Sequence, residues 1–206
     1  MLNINNLNFS YENSRLILEN FSLTVNEGEL ICIEGNNGAG KTTLLNIISG
    51  IIYVPDLMFK FYDETISQQN LRNQVIYIPT EPVFYENLTV LEYIAFVKYL
   101  WKQSNNFESE VLKNINMLNL KYEDKQVIQD FSLGMKYKLY LSTFLAIKRK
   151  ILLLDEPLNS LDRESRETAI ELIKAYVKNN SSCCIFSSHV GDTIDKLSSR
   201  TVVLNR

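Results

Sequence analysis

Gly35-Asn36-Asn37-Gly38-Ala39-Gly40-Lys41-Thr42-Thr43 fits the pattern G-x-x-x-x-G-K-[ST], and no other stretch restricts the path of this chain as strongly. In a loop of this kind successive backbone N–H groups point inward at the phosphates of a nucleoside triphosphate. Its glycines let the chain bend that closely. Lys41 reaches the outer phosphates and the Thr42 hydroxyl is suited to Mg²⁺. The preceding residues, Glu29 to Glu34, read as a strand, and Thr42 to Ser49 read as a helix. The helix N-terminus adds positive potential where phosphate would lie. A strand, a tight glycine loop and a helix in that order point to an α/β fold.

The 206 residues suffice for one domain with a sizeable core, and the apolar and charged fractions, 46% and 22%, are those of a globular protein. A net charge of −3 argues against nucleic acid as the main partner. No apolar run reaches the length of a membrane span. The start, Met1 to Asn6, has neither a basic region nor an apolar signal core, so export is not expected. Cys32, Cys183 and Cys184 fall on expected strands without metal-ligand spacing. They read as reduced core residues of a cytosolic protein.

Further strands are expected over Leu2–Tyr11, Phe21–Val25, Gln74–Pro79, Ile151–Asp155, Ser182–Ser187 and Thr201–Leu204, with a turn at Asn26-Glu27-Gly28. Gly50 should stop the helix after the loop. Thr89 and Glu92 form a capping box that starts a helix running to about Lys102. Helical patterns also cover Phe107–Leu118, Leu133–Lys150 and Arg163–Lys178. The charges of Lys148, Arg149 and Lys150 suit the C-terminus of the third of these four helices. Strands alternating with helices imply a parallel sheet covered on both faces. The purely helical block from about 81 to 130 interrupts that alternation. It reads as an insertion into a core of about 1–80 and 131–206, all within a single domain.

The apolar run Ile151 to Leu154 ends in Asp155-Glu156. A carboxylate at a strand tip beside a phosphate loop can hold Mg²⁺ directly or through water, which fits Asp155. Glu156 could then polarise an attacking water. With these residues in place the chain resembles the ATP-binding subunits of ABC transporters. Phe131-Ser132-Leu133-Gly134-Met135-Lys136 resembles the family's signature motif, Pro157-Leu158-Asn159-Ser160-Leu161-Asp162 its D-loop, and Ser187-Ser188-His189 its switch histidine. Tyr77 to Pro82 occupies the Q-loop, and Tyr11 lies where the family places an aromatic that stacks on adenine. A Ser-Leu-Gly-Met-Lys signature is similar to that of bacterial exporters of drugs and antimicrobial peptides. Thr80 departs from the glutamine usual in the Q-loop.

The resemblance implies an α/β fold: a P-loop NTPase core with a mainly parallel sheet, an N-terminal antiparallel β segment and an inserted helical subdomain. It implies ATP and Mg²⁺ as cofactors and a head-to-tail dimer, homo- or heteromeric. Each ATP would lie between the loop of one subunit, with Tyr11 and Gly35 to Thr43, and the signature Ser132, Leu133, Gly134 and Met135 of the other. Asn159, Ser160, Leu161 and Asp162 would form the D-loop. Lys41, Glu156 and His189 would be catalytic, and Thr42 and Asp155 would hold the metal, with Thr80 a further candidate. The hydroxyl of Ser132 should cap the helix that begins at Leu133.

The expected function is that of the ATPase of a bacterial exporter, cytoplasmic and held at the inner membrane face by a transmembrane permease. The rivals are a soluble ABC-type ATPase, a P-loop kinase acting on a small molecule and a regulatory ATP-binding module. Phe84, Tyr85, Tyr93, Phe96, Tyr99 and Trp101 are too many aromatics for one buried stripe. The surface around Phe84, Tyr85 and Trp101 is therefore expected to dock the membrane partner.

Overall fold

The computed structural model describes residues 1–12 and 15–204. They pack as two compact units, one of Met1–Tyr77, Arg149–Pro157 and the residues from Val177 onward, the other of Ile78–Lys148 and Leu158–Tyr176.

The first unit contains two sheets. Strands β1 (Leu2–Phe9), β2 (Leu18–Val25), β4 (Met58–Phe61) and β5 (Glu64–Ser67) form an antiparallel sheet in the order β2-β1-β4-β5. Strands β3 (Leu30–Glu34), β6 (Val75–Ile78), β7 (Ile151–Leu154), β8 (Cys183–Ser187) and β9 (Arg200–Val203) form the other, in the order β6-β7-β8-β3-β9. There β8 runs parallel to β7 and β3, and β3 runs parallel to β9. Every residue of β7 and β8 is buried, as the apolar runs Ile151–Leu154 and Cys183–Phe186 require of strands covered on both faces; buried Ser187 ends β8. The antiparallel β1 solves a different problem. Ile4 and Leu7 are both buried, yet three residues apart they would face opposite ways on a regular strand. A register shift between them, with Asn6 at φ +50°, brings both inward.

Helix α1 (Lys41–Ser49) buries Leu44, Leu45, Ile47 and Ile48 in a core shared with Leu2, Ile4, Ile31, Ile33, Leu153 and Ile185. Removing each such side chain from water contributes roughly 1.5–3 kcal/mol. Gly50 ends the helix at φ +76° and its N–H bonds the carbonyls of Asn46 and Ile47, as expected of a glycine stop. Buried Gln68, in the short α2 (Gln68–Arg72), serves the same corner. Its amide nitrogen donates to the carbonyls of Ile47 (2.6 Å) and Ile52 (2.7 Å), and its carbonyl accepts from Val54 N.

The second unit is helical: α3 (Val90–Leu100), α4 (Phe107–Met117), α5 (Leu133–Leu145) and α6 (Arg163–Asn179) as far as Tyr176. The capping box is present: Thr89 N donates to Glu92 Oε2 at 2.8 Å, and Glu92 N donates to Thr89 Oγ1. Val90, Tyr93, Ile94 and Val97 form one buried stripe of α3. The aromatics form a cluster: Phe84 packs on Tyr93 and Tyr140, Tyr140 on Phe144, and Trp101 edge-on to Phe144 at 5.8 Å. Trp101 and Phe84 are thus partly buried members of this cluster, which corrects their place in the expected exposed patch. Tyr85 is 67% exposed and Tyr99 82% exposed.

Helix α5 stops at Leu145, five residues short of the expected end at Lys150. The basic run is divided: Lys148 pairs with Glu110 of α4 at 3.2 Å, and Lys150 serves the end of α6. Lys150 Nζ donates to the carbonyls of Asn180 (2.9 Å) and Ser181, just past the end of α6, where a cation satisfies orphan acceptors. The β4–β5 hairpin, α2 and α7 (Gly191–Leu197) lie outside the elements read from sequence. The hairpin turns at Tyr62-Asp63 with Tyr62 at φ +52°, where the usual glycine or asparagine cue is missing.

Candidate nucleotide site

Sheet order assembles the site. Because β7, β8 and β3 are adjacent and parallel, the segments leaving their C-terminal ends emerge side by side. Those segments are the glycine loop after β3, Asp155-Glu156 after β7 and Ser188-His189 after β8. Ligands of open parallel sheets bind beyond such strand ends.

The loop closes on itself at Asn36, whose carbonyl accepts from Ala39 N at 3.0 Å. Gly38 and Gly40 have φ of +81° and +101°. At Gly40 a Cβ would also stand 2.7 Å from the Ile17 side chain, so no other residue fits there. Gly40 caps α1 without a side chain, and its carbonyl accepts the first helical bond from Leu44 N. Lys41 is buried and its Nζ donates to the Gly35 carbonyl at 2.8 Å. The same ammonium stands 4.0 Å from Glu156 Oε1. It is therefore held at the mouth of a loop whose N–H groups suit an anion.

Asp155 is buried and surrounded by hydroxyl donors. Thr42 Oγ1 donates to its Oδ2 at 2.8 Å, Ser187 Oγ to its Oδ1 at 2.7 Å, and Tyr77 OH approaches Oδ2 at 3.5 Å. Thr42 and Asp155, predicted separately as metal ligands, are therefore brought into contact. A hydroxyl and a carboxylate oxygen in contact are the hard donors that Mg²⁺ prefers, with water and phosphate oxygens completing its shell, so this pair fits that ion. Glu156 has φ +45° and its Oε2 lies 2.9 Å from His189 Nδ1. His189 is exposed and lines a cleft of about 420 Å³ with Gly35, Asn36 and Asn37. Tyr11 also reaches the loop: its hydroxyl is 3.3 Å from Thr43 Oγ1, and its ring, held edge-on by Phe9, is half-exposed.

Ser187 and Tyr77 are the contributors that the sequence left without a role. Ser187 stood inside the Ser-Ser-His segment, but only the pairing of β7 with β8 carries its hydroxyl to Asp155. The three thiols are buried and unpaired. Burial, with Glu34 adding to it, pushes Cys32 up to about 12.

The remaining predicted residues belong to the second unit. Ser132 caps α5 by accepting from Met135 N at 3.3 Å. A Cβ on Gly134 would lie 2.8 Å from the Ser160 carbonyl oxygen, so the signature segment and the Asn159–Asp162 loop are in close backbone contact. Asp162 caps α6 by accepting from Ser165 N (2.9 Å) and Ser165 Oγ (2.7 Å), and Lys138 Nζ lies at 3.4 Å. Thr80 and Glu81 are exposed residues of this unit.

The profile of the ABC transporter family matches residues 18–159. The chain belongs to this family. Within it, the lantibiotic transport ATP-binding protein SrtF of Streptococcus pyogenes is 32% identical over 197 residues, spanning 96% of this chain and 83% of that protein. The cytochrome c biogenesis ATP-binding export protein CcmA of Reclinomonas americana is 32% identical over 151 residues, 73% of this chain and 68% of that one. A solved ATP-binding subunit of an ABC transporter superposes with a TM-score of 0.88 at 24% identity, covering 99% of this chain and 85% of that one. The resemblance read from the motifs is thereby confirmed, as is the α/β fold with its P-loop core. The protein is an ABC nucleotide-binding subunit, of the ATPase class. No helix among the described residues is long and apolar enough to cross a membrane.

Proposed function

We propose that this ABC subunit hydrolyses ATP with Mg²⁺ to drive export through a separate transmembrane permease, acting as a head-to-tail dimer at the cytoplasmic membrane face. The observation that carries the chemistry is the convergence of Thr42 on Asp155 at 2.8 Å and of Glu156 on His189 at 2.9 Å, beside the glycine loop. The export reading is supported by SrtF, named for lantibiotic transport, and by CcmA, named for export. The permease reading is supported by family membership and by the exposed Val83, Tyr85 and Tyr99, an apolar surplus outside the helical core.

In this mechanism the loop N–H groups and Lys41 hold the outer phosphates, and Tyr11 offers its ring to the base. Bound Mg²⁺, held by Thr42 and Asp155, would neutralise charge on the phosphate oxygens. Glu156 accepts a proton from water as the water oxygen bonds to the γ-phosphorus and ADP leaves. His189, bonded to the Glu156 carboxylate, holds it in line and offers its other ring nitrogen to the γ-phosphate. The Ser132–Met135 segment of a second copy would close over that phosphate with the positive N-terminal end of its helix.

Glu156→Gln tests the reading. It should retain ATP binding and lower hydrolysis by roughly 10²–10⁴-fold, the usual worth of a general base. Lys41→Ala should instead weaken ATP binding itself, by roughly 10–150-fold for a lost charge-assisted contact. Near-parental turnover in the glutamine variant would remove Glu156 from this role.

A further inference from the structure

Ser187 is the last residue of β8 and is wholly buried. Its hydroxyl makes two bonds at once. It donates to Asp155 Oδ1 at 2.7 Å and accepts from Glu156 N at 2.8 Å. These are adjacent residues of opposite duty, the carboxylate read as facing the metal and the carboxylate read as facing the water. The bond to Asp155 occupies one carboxylate oxygen and leaves the other, Oδ2, turned to Thr42. The bond to Glu156 acts on a backbone in the left-handed region, which side-chain-bearing residues rarely adopt without support. In that conformation the Glu156 side chain has Oε2 on His189 and Oε1 near Lys41.

We infer that Ser187 is a positioning residue: its hydroxyl ties the Asp155 carboxylate to the Glu156 backbone, so that the metal-facing and water-facing acids are held in one fixed relation. The inference rests on the proposed role of Glu156. It assigns Ser187 no contact with ATP. Its loss should act on turnover and leave nucleotide affinity in place. The donor–acceptor geometry is specific. Alanine lacks both functions, cysteine keeps the volume but is a weak donor and acceptor, and threonine keeps the hydroxyl.

The test uses the full chain in three variants, Ser187→Ala, Ser187→Cys and Ser187→Thr, beside Glu156→Gln. ATP hydrolysis is measured as kcat and KM. Hydrogen exchange at the Glu156 amide is followed by NMR in nucleotide-free protein, a readout independent of activity. The alanine and cysteine variants should lower kcat about 10–100-fold, the range for a lost hydrogen bond to a charged group, with KM near the parental value. The Glu156 amide should exchange at least about 10-fold faster in both, because its acceptor is gone or weakened. Threonine should restore both properties. Should alanine fail to fold, cysteine carries the comparison. Unchanged kcat in the alanine and cysteine variants, unchanged Glu156 exchange, or a loss of ATP binding equal to the loss of turnover would each overturn the inference. A Glu156→Gln variant that still hydrolyses would overturn the general-base reading instead, and the exchange rates would still decide whether Ser187 holds the segment.

Discussion

At the scale of single residues, the site concentrates what a core would exclude. Glu156 and Leu158 both have positive φ, within four residues of a fully buried strand. Conformations of this kind persist only where surrounding bonds over-determine them, and they gather at functional sites. Three hydroxyls face a single carboxylate, Asp155. The cysteines are the opposite case: small buried residues outside any disulfide. Burial pushes Cys183 up to about 12 and Cys184 well above its ordinary range. A thiolate is the reactive form, so all three should be inert in the folded protein. Titration with a chromogenic disulfide at pH 8 should find no reactive thiol in native protein and three after unfolding in urea. A rapidly reacting native thiol would show that the packing between β3 and β8 opens readily.

At the scale of elements, the ends of helices carry much of the specification. Gly50, Thr89, Ser132 and Asp162 each satisfy groups that a helix terminus leaves open. Asp162 shows how a residue expected in a nucleotide-linked loop has a local duty as well. The bonds from Ser165 N and Ser165 Oγ, followed by the charge of Lys138, hold its carboxyl down at about 2. A depressed carboxyl stabilises the fold above its unfolded value, near 3.8, and loses that contribution as pH falls toward 2. Asp162→Ala should therefore lower stability at neutral pH by about 1 kcal/mol, the common worth of an N-cap. The gap between the two proteins should narrow between pH 4 and pH 2. Urea unfolding across that range measures it; a gap that widens on acidification would contradict the assignment. Asp162→Asn keeps an N-capping oxygen and should lose little at pH 7.

At the scale of the whole molecule, the two compact units divide the motifs between them. The loop, Asp155, Glu156 and His189 belong to one, and Ser132–Met135 with Asn159–Asp162 belong to the other. Under the proposed function, ATP would bring the first set of one copy onto the second set of another. Glu156→Gln with ATP should then migrate as a dimer in light scattering. The same variant with ADP, and the Lys41→Ala/Glu156→Gln double variant with ATP, should remain monomeric. A hydrolysis-deficient variant that binds ATP and stays monomeric at every protein concentration would argue against a homodimer and turn the search toward a second kind of ATP-binding subunit.

Features with local causes are legible in the residues alone. The glycine loop, the Gly50 stop, the Thr89–Glu92 box and the Ser132 cap each depend on a handful of neighbouring residues. The apolar runs of β7 and β8 announce strands buried on both faces. Asp155, Glu156 and His189 were legible as candidates because each directly follows such a strand or sits within two residues of it. The rest depends on contacts between segments far apart in the chain. Lys148 to Lys150 looked like a helix ending, yet Lys150 answers to the carbonyls after α6, some thirty residues later. The β4–β5 hairpin turns without glycine, so no short-range signal marked it. Trp101 and Phe84 look like surplus aromatics in the sequence, and packing gives them Phe144, Tyr93 and Tyr140 as neighbours. Ser187 gains its meaning only because β8 lies beside β7 in the sheet, although 28 residues separate Leu154 from Cys183 in the chain. Strand order is set by how helices and sheets together bury apolar surface, and that sum over distant residues is written in no single motif.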